Sequence, residues 1–162
     1  MTYHALATSQ IAPLAKNLIG NHHPHLHNIR IEYVFREKAA SKGGRTVLGT
    51  ARLVRGLTAM FATPGATDTD DNDFFVIELA EDTWALLSND RRLALLDHEL
   101  SHCQVAMDPN SGEVKLSIRP HDVEEFSGVL ARHGLWKEDV EDFVKSLGKK
   151  QLQSIAVALP GI

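Results

Sequence analysis

An α+β fold is predicted for this chain of 162 residues, because one helical stretch is followed by three runs of strand character and then by mostly helical sequence. Two segments carry most of that reading. IRIEYVFR at 29–36 alternates, with Ile29, Ile31, Tyr33 and Phe35 on one face and Arg30, Glu32 and Arg36 on the other, the pattern of a half-buried strand. From Ser88 to Met107, by contrast, Leu93, Leu96, Leu100, Cys103 and Met107 recur three and four apart, which marks the longest helix and gives it an apolar stripe.

The remaining elements follow in order. Residues 7–20 place Ile11, Leu14, Ala15 and Leu18 at helical spacing, with Ser9 as N-cap and Gly20 as stop. NHHPHLHN interrupts, and after the first strand EKAASKGGR supplies turn chemistry before TVLGTARLV, so the two strands are expected to pair as a hairpin with a basic tip. TPGATDTDDND is an acidic loop, FFVIELA a third strand and EDTWALL a short helix ahead of the long one. EVKLSIR reads as a strand or a crossing arm. Pro120 suits the first position of a helix that runs to Gly134, and KEDVEDFVKSLG forms a last helix. The expected architecture is a small mixed or antiparallel sheet packed against the long helix, with further helices C-terminal. It makes one domain over 1–162, with 149–162 as a flexible tail.

Composition narrows the class. A hydrophobic share of 43% and a charged share of 23% match ordinary globular proteins, which excludes disordered and fibrous classes, and the length suffices for one core without staples. Cys103 is the sole cysteine, so no internal disulfide forms, and MTYHALATSQIAPLA lacks the basic start and apolar run of a signal peptide. A cytoplasmic location is therefore expected. No apolar run approaches the ~18 residues of a membrane span. Charge is segregated: residues 1–60 carry eight Lys or Arg against Glu32 and Glu37, and residues 61–100 carry ten Asp or Glu against Arg91 and Arg92. A net charge of −4 nevertheless does not predict strong phosphate binding.

The chemistry concentrates at His98, Glu99 and His102. Helix positions four apart lie about 40° apart around the axis and one turn apart along it, so two imidazoles at that spacing grip one ion. Glu99 is near enough to accept a proton from a water on that ion, which is the physical content of H-E-x-x-H. The apolar stripe lies on another flank, so packing does not require the histidines. The pattern implies hydrolysis by metal-activated water, with one Zn2+ per chain and Glu99 as general base.

A catalytic zinc takes three protein ligands. A glycine at 105 and a histidine at 108 would extend the motif, but Val105 and Asp108 stand there. The better region is RPHDVEEF, where His121 and Glu125 are four apart on the expected helix. His121 is favoured as third ligand, Glu125 as alternate ligand or as a group behind the ligands, and Asp122 and Glu124 as further such supports. A histidine among acids that merely suit a helix N-terminus is the plain alternative.

With NHHPHL, IRIEYVFR, GTARLVRGLTA, FFVIELAEDTW, LLDHELSHC, LSIRPHDVEEF and RHGLW in place, most of the chain resembles the metallopeptidases of phages and prophages, small zincins related in plan to SprT-like and ImmA-like proteins. The resemblance implies a minimal zincin core and zinc-dependent peptidase activity on a protein or peptide. ImmA-like relatives are similar to enzymes with a glutamate ligand from the second helix and SprT-like ones to enzymes with a histidine, so the comparison leaves His121 and Glu125 both open.

Other clusters read plainly. His22, His23, His25 and His27 around Pro24 read as a solvated turn. Asp68, Asp70 and Asn72 imitate a calcium loop, but Asp73 and Leu79 replace the required glycine and glutamate. Cys103 reads as core rather than nucleophile. Tyr33 and His133 are candidates for oxyanion stabilisation. The second function class is a metal-stabilised binding module that contacts nucleic acid or protein through a basic 38–55 hairpin, including Lys38, Lys42, Arg45, Arg52 and Arg55. Glu99 argues against it, since a purely structural metal needs no adjacent base.

Overall fold

A computed structural model describes residues 2–4 and 7–148. In chain order the elements are β1 (Tyr3–His4), α1 (Ala7–His22), a short 3-10 turn (Pro24–Leu26), β2 (Ile31–Arg36), β3 (Ala40–Lys42), β4 (Arg45–Val47), β5 (Gly49–Val54), α2 (Gly56–Phe61), β6 (Phe74–Ala80), α3 (Glu81–Leu86), α4 (Asn89–Ser101), β7 (Cys103–Met107), β8 (Val114–Ile118), α5 (Ser127–His133) and α6 (Glu138–Lys145). The α+β class is as expected. The chain packs as two compact units whose sequence boundary falls between Arg119 and Pro120. The expected tail, 149–162, lies outside the described residues.

In the first unit, one sheet runs in the order β1-β2-β6-β5. β6 is parallel to β2 and antiparallel to β5, so the expected pairing of 29–36 with the following strand does not occur. The reason lies in β6 itself. Phe74, Phe75, Ile77, Leu79 and Ala80 are all buried, and a strand apolar on both faces belongs at the centre of a sheet. It therefore separates the two half-polar strands. The glycines of SKGGR make a smaller hairpin: Gly43 and Gly44 have φ of 56° and 75°, the left-handed conformation a tight two-residue turn demands, and they join β3 to β4. The 38–55 segment is thus not one hairpin but a small ribbon followed by an edge strand of the main sheet.

Ile11, Ala15 and Leu18 of α1, Leu96 and Leu100 of α4, and Tyr33, Phe35, Phe75, Ile77 and Leu79 of the sheet share one apolar cluster. The 3.6-residue period of both helices brings these positions to one face. Helix α1 starts before Ser9 and passes Gly20 to end at His22. Helix α4 begins where expected, with Ser88 Oγ accepting from the Arg91 N–H at 3.4 Å.

Its end differs from expectation. The last helical dihedrals are at His102, φ −73° and ψ −21°, and Cys103–Met107 is a strand that pairs with β8. Cys103 remains buried, whereas Met107 is 68% exposed. The partner strand explains this: the run CQVAM gains a backbone ladder from VKLSI that a further helical turn would forgo. Asp108 closes that ribbon, accepting from the Asn110 and Ser111 N–H groups at 2.7 and 3.0 Å, which hold its carboxyl below its ordinary range.

In the second unit, 120–126 is not helical, and α5 starts only at Ser127. Pro120 therefore does not open a helix, and His121 and Glu125 do not share a helical face. The chain leaves β8 extended, and the residue before a proline resists helical dihedrals, so the extended run continues. Gly134, at φ 65°, ends α5. Val140 is the buried residue of α6.

Candidate metal centre

Helix α4 carries the centre because its two flanks divide the work. Leu96 and Leu100 enter the core at 0% exposure while His98 stays exposed. His98 and His102 stand edge to face with ring centroids 5.0 Å apart, the result of four-residue spacing kept through the C-cap.

Arg119, just past β8, binds His102 twice. Its N–H donates to the His102 carbonyl at 2.7 Å, and its carbonyl lies 2.7 Å from His102 Nδ1. A carbonyl only accepts, so Nδ1 carries a proton and Nε2 is the ring nitrogen left to face a metal. A ring N–H given to a backbone carbonyl is the usual way a ligand imidazole is oriented. His121 follows two residues on, and the chain alone keeps its Cα within about 7 Å of Arg119. The ligand nitrogens of His98, His102 and His121 all lie within 4.8 Å of one another. Three imidazoles at that spacing fit a borderline-soft divalent ion, so this three-histidine group could hold a metal.

Glu99 points the other way from solvent, at 3% exposure. Burial pushes its carboxyl above the ordinary range, opposed by the charge of His102 and by the Ala51 N–H, which it accepts. Gly49 faces it as well: a Cβ there would stand 2.7 Å from Glu99 Oε1.

The carboxylate of Glu125 is engaged locally. Oε1 accepts from the Phe126 N–H at 2.8 Å and Oε2 from Trp136 Nε1 at 3.1 Å. Asp122 and Glu124 are exposed on the same irregular segment. Tyr33 belongs to the core cluster, where burial first, then Cys103 and Glu32, push its phenol up to about 12. Burial, with Glu99 adding, likewise pushes the Cys103 thiol to about 12, so it holds its proton at neutral pH. His133 lies on α5 of the second unit.

The histidine run is exposed as expected at His22, His25 and His27, but not at His23. His23 is 7% exposed, and its Nε2 meets Asp97 Oδ1 at 2.6 Å. His25 Nε2 donates to the Cys103 carbonyl at 3.1 Å. The 3-10 turn thereby fastens the last turn of α4 on both sides of the motif. These partners, together with Gly49, Ala51 and Arg119, are what the sequence reading missed. The histidines were conspicuous, but contacts across 74 and 78 residues leave no local mark.

Residues 3–148 match the family described as "Putative phage metallopeptidase". The chain belongs to that family. A phage metallopeptidase implies a metal cofactor and a protein or peptide as substrate, and the histidine group is the fitting place for the former. No curated protein and no solved structure matches the chain. No described helix of the chain is long and apolar enough to cross a membrane.

Proposed function

We propose that the chain is a zinc-dependent peptidase, with His98, His102 and His121 as ligands of one ion and Glu99 as general base. The observation that carries this reading is the pairing of roles on one helical turn: imidazoles on the open flank and, between them in sequence, a carboxylate held in a dry seat. Zinc in such a donor set acts as a Lewis acid, polarising a carbonyl and making water acidic near neutral pH.

The chain's own residues supply the rest. The Arg119 carbonyl, bonded to Nδ1 of His102, would leave Nε2 of that ring to hold the ion. Glu99 accepts the proton of the attacking water and returns it to the departing amide nitrogen. Its raised affinity for a proton suits that exchange, because a base works best when its pKa approaches the operating pH. His121 is preferred to Glu125 because both Glu125 oxygens are already accepting elsewhere.

The binding-module reading loses two of the five cations assigned to it: Arg52 is paired with Glu78, and Arg55 donates to the Leu116 carbonyl at 2.6 Å. Arg52 ties β5 to β6 within the main sheet, and Arg55 ties the end of β5 to β8 of the smaller β7-β8 ribbon.

Glu99→Gln tests the proposal. Glutamine keeps size and hydrogen bonding but takes no proton, so zinc content and fold should persist while cleavage of a substrate found by peptide-library screening disappears. Equal cleavage by parent and variant would reject Glu99 as the base.

A further inference from the structure

β5 is an edge strand: one side pairs with β6 from Gly49↔Leu79 to Val54↔Phe74, and the other has no partner strand among the described residues. Gly49 and Ala51 are two apart, so they share a face of that strand. Both are as small as residues come, and Glu99 stands against them. Ala51 donates its N–H to the carboxylate. A Cβ at Gly49 would come within 2.7 Å of Oε1 and 3.0 Å of both Cδ and Cγ, closer than such atoms pack. These atoms include Cγ as well as the carboxyl, and they belong to a buried side chain, so the carboxyl group would have to leave its place. The backbone at Gly49 is not left-handed, so its conformation is open to any residue and does not account for the glycine.

We propose that Gly49 is a positioning residue for Glu99: by lacking a side chain it leaves the seat in which the Ala51 N–H holds the carboxylate beside the histidines. Its catalytic consequence rests on Glu99 being the base, but the seat itself does not. A 1 Å displacement of a catalytic group is enough to cost orders of magnitude in rate, so filling this space should slow hydrolysis and leave zinc content unchanged.

The test is a double-mutant cycle on the full-length, metal-free protein, read by thermal unfolding and by the Ala51 amide proton in a 15N-labelled sample. Gly49→Ala alone should lower the midpoint by several degrees and move the Ala51 amide resonance as Glu99→Ala does. In the Glu99→Ala background the same change should cost nothing or raise the midpoint, because alanine suits a strand better than glycine once the clash is gone. Folding of Gly49→Ala only in the Glu99→Ala background supports the proposal equally. An equal loss in both backgrounds, failure to fold in both, or no loss in either overturns it. If the cycle shows coupling while Glu99→Gln still cleaves substrate, the seat stands and the assignment of the base falls.

Discussion

His102 has two ring nitrogens and, with Nδ1 donating to the Arg119 carbonyl, one of them is committed. The same strand end leads on to His121, so in the proposed site ligand supply and ligand orientation would come from one stretch of backbone. This makes the third-ligand assignment testable by magnitude. Removing a ligand abolishes stable binding, whereas removing a group behind the ligands weakens it by ~10–100-fold. His121→Ala is expected to purify without zinc. Glu125→Ala, which loses only contacts to Phe126 and Trp136, is expected to keep it. Elemental analysis of both variants decides, and the reverse order would move the ligand role to the glutamate.

Among the elements, β6 does most to place the site, because it fixes where β5 lies and hence where Glu99 is seated. Its one charged residue, Glu78, is 4% exposed and bridges both neighbours: Arg36 of β2 at 3.4 Å and Arg52 of β5 through its Nε. Arg36 is buried, and its other donors reach the Lys38 and Val47 carbonyls at 2.8 and 2.9 Å. The Arg52 side chain is 58% exposed. Glu78→Ala would leave a buried guanidinium without its counter-charge, and a loss of about 3–5 kcal/mol is expected. Arg52→Ala exposes nothing of the kind and should cost within about 1 kcal/mol. Urea unfolding of the two variants measures the difference. Near-equal losses would show that the network is not centred on Arg36.

For the whole molecule, the proposed site links metal binding to stability. An ion that binds only the folded chain stabilises it by RT ln(1 + [L]/Kd), about 2.7 kcal/mol at a free concentration of 100 Kd. For a chain of this length that corresponds to a rise of about 5–10 °C in the unfolding midpoint. One equivalent of zinc is expected to bind and to produce such a rise, and a chelator to reverse it. His98→Ala should unfold at the same temperature with and without zinc. A variant that still responds would place the stabilising ion elsewhere.

The chemistry-bearing helix was readable from residue order alone, because periodicity and the H-E-x-x-H spacing are local: both histidines and Glu99 lie within five residues. So were the strand character of 29–36 and 74–80 and the buried nature of Cys103. Local order could not say which strands pair, since that depends on which run can bury both faces, and β6 took the centre. Nor could it mark the end of α4. CQVAM continues a helical stripe on paper and becomes a strand only because Val114–Ile118 is there to pair with it. The expected helix over 120–126 failed for a related reason: the chain leaves β8 extended through Arg119, which is bonded to His102, into a proline. Gly49 and Ala51 were invisible as site residues because glycine and alanine carry no chemistry of their own. Their role is the space and the N–H they present to Glu99, about fifty residues away in sequence, and only packing brings such groups face to face.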